Sequence, residues 1–91
     1  GDRCVTLFNE AKMSPTVLRK DGYQFKIYPN DHPPAHVHVS RPGCEARIGL
    51  DPIVVHNNWG FTNRQISKVL DLTEANQPFL LAEWDKYHSE R

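Results

Sequence analysis

The run Asp31-His32-Pro33-Pro34-Ala35-His36-Val37-His38-Val39 constrains the fold more than any other stretch of the chain. Adjacent prolines lack amide protons and fix φ, so neither a helix nor a central strand runs through them. The strict His/Val alternation that follows has the two-residue period of a strand, not the 3.6 of a helix. Residues 35 to 40 therefore read as a half-buried strand. Val37 and Val39 face the core, and His36 and His38 share the polar side.

The flanking segments extend this into a sheet. Thr16-Val17-Leu18 reads as a short strand ended by the turn signal Lys20-Asp21-Gly22. Tyr23, Phe25 and Ile27 alternate with polar residues, and so do Ala46, Ile48 and Leu50. Arg41-Pro42-Gly43 turns the chain, and Asp51-Pro52 breaks it before Ile53-Val54-Val55, a short strand or extended segment. Keeping one apolar face fixes the hairpin register. Val39 faces Ala46, Val37 faces Ile48, His38 stands beside Arg47 and Ser40 beside Glu45. If the preceding strand pairs on the other side, Lys26 and Tyr28 join the polar face, giving a cluster of His36, His38, Glu45, Arg47, Lys26 and Tyr28.

The C-terminal half is helical. Phe61-Thr62-Asn63-Arg64-Gln65-Ile66 fits a hydrophobic staple around a capping box, with Thr62 as cap and Gln65 reaching back. Ile66, Val69, Leu70 and Thr73 form an apolar stripe. Pro78 suits the first turn of a second helix, whose Phe79, Leu80, Trp84 and Tyr87 cover the apolar sheet face. Lys86 and His88 in the last turn suit the helix dipole. The expected class is α+β: an antiparallel sheet of about three to five strands on two C-terminal helices, or one kinked helix.

Ninety-one residues make one domain. Met13-Ser14-Pro15-Thr16 is a natural start, so residues 1 to 12 read as a poorly ordered N-terminal extension and residues 13 to 91 as the domain. Eleven basic residues balance eleven acidic ones, which implies no broad polyanion-binding surface. No apolar run is long enough to cross a bilayer and no secretory leader is visible. Cys4 and Cys44 make no disulfide framework, so a cytoplasmic protein with reduced thiols is expected.

Pro15-Thr16-Val17-Leu18-Arg19, Asp21-Gly22-Tyr23, Asn30-Asp31-His32, Pro34-Ala35-His36-Val37-His38-Val39 and Gly60-Phe61-Thr62 resemble, in order and spacing, a family of small bacterial proteins. It is grouped as domain-of-unknown-function family 4160. The resemblance spans Met13 to Tyr87. Ala35 stands where many relatives have a second proline, and Pro78 interrupts what is a continuous helix in relatives. The resemblance implies a small cytoplasmic α+β domain, a component of a two-gene, toxin–antitoxin-like module with a small cognate partner protein encoded nearby. It implies no mechanism.

Three functional readings follow from the histidines. Imidazole transfers protons near neutral pH and ligates metals. In the first reading, His36 and His38 are the acid and base of a metal-independent ribonuclease, with Arg47 and Lys26 holding the phosphate and Tyr28 stacking a base. The balanced charge counts against RNA as substrate. In the second, the domain is a non-catalytic module that binds a partner protein. In the third, His36 and His38, with His32 or Asp31 from the proline loop, bind Zn²⁺ or another divalent metal, with or without hydrolase activity. The remaining polar residues take plainer roles. Asp31 makes an Asx turn, His56, Asn57 and Asn58 shape a loop, Trp59 is a lid over the core in preference to an exposed interface anchor, His88 is solvated, and Cys44 is a poor nucleophile candidate.

Overall fold

A computed structural model describes residues 16–88. The expected N-terminal extension, residues 1 to 12, lies outside the described residues, as do Cys4 and Met13. Five strands come first: β1 (Thr16–Lys20), β2 (Tyr23–Lys26), β3 (His36–Arg41), β4 (Cys44–Gly49) and β5 (Val55–Trp59). Two helices follow, α1 (Asn63–Ala75) and α2 (Gln77–His88). The sheet order is β1-β2-β3-β4-β5, with every neighbouring pair antiparallel. The fold is thus α+β, a five-stranded meander carrying two C-terminal helices. Among the described residues, no helix is long and apolar enough to cross a membrane.

Turn chemistry sets the hairpins. Asp21 and Gly22 both take positive φ, 50° and 87°, the requirement of the two-residue turn that matches strand twist. Pro42 and Gly43 join β3 to β4, with Gly43 at φ 83°. The β3–β4 register is the one the alternation demands: Val37 with Ile48, His38 with Arg47, Val39 with Ala46 and Ser40 with Glu45. On the other side of β3, Lys26 pairs with His38. Phe25, Ile27, Val37, Val39, Ala46, Ile48 and Leu50 are fully buried and form one core with Val69, Leu72, Leu80 and Trp84 of the helices.

Helix α1 starts where the capping box places it. The Gln65 amide donates to Thr62 Oγ1 at 3.1 Å, and the Thr62 amide donates to Gln65 Oε1 at 2.9 Å. Thr73, buried on this helix, donates its hydroxyl to the Val69 carbonyl at 2.8 Å, so its polar atom is satisfied within the apolar stripe. Pro78 lies in the first turn of α2, so the chain makes two helices rather than one kinked one. Gln77 ties α2 to the end of β4, its Nε2 donating to the Leu50 carbonyl at 2.6 Å.

Three local expectations are corrected. The last strand begins at Val55, so His56, Asn57 and Asn58 lie in β5 rather than in a loop. Trp59 does not cover the core: it closes β5 on the sheet edge and is 53% exposed. His88 is not simply solvated. Its ring stacks on Trp84 at 3.7 Å and its Nδ1 donates to the Trp84 carbonyl at 2.8 Å.

Candidate metal centre

The two histidines of β3 share a face, as strand geometry requires, but that face is not open. His36 is 7% exposed and His38 9%. The loop between β2 and β3 supplies part of the cover. The Asp31 amide donates to the Tyr28 carbonyl at 3.1 Å, closing a turn across Pro29 and Asn30. The Asp31 carboxylate then reaches both rings, its Oδ2 lying 2.9 Å from His38 Nε2 and 3.1 Å from His36 Nε2. Its side chain thus serves the histidines rather than the Asx turn expected of it. Tyr28 meets His38 edge-on at 4.8 Å between centroids, and Trp84 of α2 lies 5.2 Å from His36.

The second nitrogen of each ring is also oriented. His36 Nδ1 lies 2.9 Å from the Pro34 carbonyl. A carbonyl only accepts, so Nδ1 carries the proton and, in the neutral ring, Nε2 is a bare lone pair. His38 Nδ1 faces Glu45 Oε2 at 3.4 Å, an electrostatic contact without a formed hydrogen bond. Both rings therefore turn Nδ1 toward an oxygen acceptor and Nε2 toward Asp31. His36, with its outer nitrogen tied to a carbonyl, is held as histidine ligands are held for a metal, whereas His38 donates a hydrogen bond from Nε2 to Asp31 itself. Burial pushes the Tyr28 phenol above its ordinary pKa, and the negative charges of Glu45 and Asp31 push in the same direction.

One ligand atom from each of Asp31, His36 and His38 falls within 4.8 Å of the others. Atoms bound to a common ion at about 2.0–2.2 Å stand roughly 3 to 3.5 Å apart, close to the two separations from Asp31. A cleft of about 560 Å³ opens beside this cluster, lined by Asp31, His32, His36, Arg47, His56 and Asn57 among others.

The candidate residues divide between two sides of the sheet's polar face. His36 and His38 come together. His32 is exposed and lines the cleft but is not in the three-residue cluster, whose third member is Asp31. Arg47 and Lys26 flank His38 on the neighbouring strands. Arg47 lines the cleft beside Asp31, whereas Lys26 lines a separate hollow with Glu45, Ser40 and Trp59. Cys44 donates its thiol to the Gly60 carbonyl at 3.4 Å and has no histidine partner among the described residues. Sequence periodicity missed His56 and Asn57 as cleft residues. Asp31 was visible only as one of two candidates in the proline loop.

A family model described as "Domain of unknown function (DUF4160)" matches residues 22–85. The chain belongs to this family. No curated protein and no solved structure gives a significant match to it. The matched span of this DUF4160 domain contains Asp31, His36 and His38 as well as the cleft residues Arg47 and His56.

Proposed function

We propose that this DUF4160 domain is a metal-dependent protein in which Asp31, His36 and His38 hold one divalent ion. The observation that carries the reading is the aim of His36 Nε2. With Nδ1 committed to the Pro34 carbonyl, the neutral ring points a lone pair at a carboxylate oxygen 3.1 Å away. Two acceptors held that close repel unless a proton or a metal ion lies between them. A divalent ion relieves that contact and takes the place of the hydrogen bond that His38 Nε2 donates to the same carboxylate oxygen at 2.9 Å. Two imidazole nitrogens and one carboxylate suit Zn²⁺ or another first-row divalent ion. Three protein ligands beside a cleft leave coordination positions open, and such an ion, when bound, supplies Lewis-acid chemistry suited to hydrolysis.

The metal-independent ribonuclease reading is less well supported. It needs a proton acceptor and a proton donor on opposite sides of the scissile phosphodiester. Here both Nε2 atoms converge on one carboxylate oxygen, and both rings are buried. A second reading, docking of the partner protein of a toxin–antitoxin-like pair, rests on β5. This strand ends the sheet order and all five of its residues are exposed. A free edge accepts an added strand. Hydrogen-exchange protection of residues 55–59 on adding the neighbouring gene's product tests it.

The metal reading is tested by calorimetric titration of chelator-stripped protein with Zn²⁺, with Mn²⁺ in parallel. The expected result is one ion per chain in the wild type and in His32→Ala. Asp31→Asn, His36→Gln and His38→Gln are expected to lose at least about tenfold in affinity, with circular dichroism confirming the fold of each. Wild-type affinity in all three ligand variants overturns the reading.

A further inference from the structure

The pairing of β4 with β5 is irregular at one place. Arg47 pairs with Asn57 and Ile48 pairs with Val55, so His56 is the extra residue of a β-bulge. A bulge re-aims a side chain, and bulges concentrate next to functional sites. Here the re-aimed imidazole lies over Gly49. A Cβ on Gly49 would stand 2.8 Å from His56 Nε2, closer than real Cβ contacts allow, and 3.0 Å from the Pro52 carbonyl oxygen, a tight contact. Gly49 is the cross-strand partner of His36, so the space its missing side chain leaves is on the histidine face of the sheet. The bulge and the glycine together bring His56 to the cleft beside Asp31 and His36.

Arg47 stands in the same cleft. Among the described residues, its Nε is buried without a hydrogen-bond partner and its guanidinium makes no ion pair. His56 likewise makes no side-chain hydrogen bond among the described residues. Among the described residues, Asp31 is the one acidic residue lining the cleft, and both of its near neighbours are the β3 histidines. The cleft thus offers unspent donors from Arg47, His56 and Asn57 around a centre whose own carboxylate is already engaged. Unspent donors facing a cation site suit an oxyanion, and a guanidinium fork fits a tetrahedral phosphoryl group through two parallel bonds.

We infer that this cleft binds the phosphoryl group of a phosphate ester, held by Arg47 and by the bulge-positioned His56. The assignment deepens the metal reading: it rests on that reading for the ion that shares the phosphoryl oxygens, while its protein contacts stand apart from the ion. Arg47 supplies the paired donors, His56 and Asn57 supply further ones, and Gly49 is the residue that leaves room for the His56 ring.

The test is calorimetric binding of phenyl phosphate, with benzoate as the carboxylate control, to metal-loaded and metal-free protein. Phenyl phosphate is expected to bind the metal-loaded wild type at least about tenfold more tightly than benzoate. Arg47→Gln and His56→Ala each lose at least about tenfold, the scale of one charge-assisted hydrogen bond, while keeping wild-type affinity for the metal. Gly49→Ala reproduces the His56→Ala loss, because its Cβ displaces the ring. Equal affinity for benzoate, or wild-type phosphate affinity in Arg47→Gln and His56→Ala, overturns the inference. Should the wild type take up no metal, the metal reading fails and the metal-free titration decides the cleft. A phosphate-induced shift of the His56 ring resonances that Arg47→Gln abolishes upholds the inference, and no shift overturns it.

Discussion

His36 shows how much one ring is asked to do. Its Nδ1 is spent on the Pro34 carbonyl, its Nε2 faces Asp31, and Trp84 closes over it. Rotating the ring to satisfy one neighbour would abandon another, so the two histidines of β3 are oriented before any ligand arrives. Tyr28, edge-on to His38, carries a pH signature of this crowding. Its phenol is held above the ordinary value of about 10, first by burial and then by the charges of Glu45 and Asp31. A raised folded-state pKa means the phenolate is disfavoured in the fold. Stability is therefore unaffected below the unfolded phenol pKa and declines as pH rises through it toward the folded value. In metal-free protein, wild type is expected to lose stability relative to Tyr28→Phe between pH 8 and about pH 10.5. Urea midpoints of the two proteins at both pH values check this, and a constant difference between them rules it out. Of the site residues, His36 and His38 were legible because a strand places alternate residues on one side. Asp31 was harder to see because its position depends on a turn closed by a backbone hydrogen bond to Tyr28, which leaves no periodic trace.

At the scale of elements, legibility follows the strength of the local code. The β3–β4 register could be derived because a one-residue slip would move Glu45 into the core beside Val39. The start of α1 could be derived because Thr62 and Gln65 satisfy each other's amides. Removing that cap by Thr62→Ala is expected to cost about 1 kcal/mol. It should lower the urea midpoint and leave the m-value unchanged, since no core residue is touched. A changed m-value would mean that the cap shapes more of the chain than its own helix end. Strand β5 was not legible. Val-His-Asn-Asn-Trp has no alternation, asparagine is disfavoured in strands, and the bulge at His56 breaks what period there is. The same irregularity that hid the strand brings His56 to the cleft. Exposed Trp59 was misread for a related reason: a large aromatic before a helix looks like core, and only the sheet order shows that it ends an edge strand.

For the whole molecule, the question is how the helix pair supports a site on the other side of the sheet. Leu80 is fully buried in the shared core, and Gln77 bonds the α2 start to the end of β4. Trp84 from the same helix packs against both the core and His36, which makes it the physical link between helix docking and the histidines. Leu80→Ala is expected to cost roughly 2–5 kcal/mol, a large fraction of the stability of any domain this small. Metal binding works in the opposite direction. An ion that binds only the folded chain stabilises it by RT ln(1 + [L]/Kd), about 2.7 kcal/mol at a hundredfold excess over Kd. Zinc at that excess is therefore expected to restore most of the thermal stability of Leu80→Ala. The same addition should leave Leu80→Ala/His38→Gln unchanged, because the second substitution removes a ligand without touching the helix interface. Equal recovery in the single and double variants would place the zinc effect outside the Asp31, His36 and His38 cluster. Recovery confined to the single variant would place the stabilising ion at the Asp31, His36 and His38 cluster, since an ion that binds only the folded chain stabilises all of it.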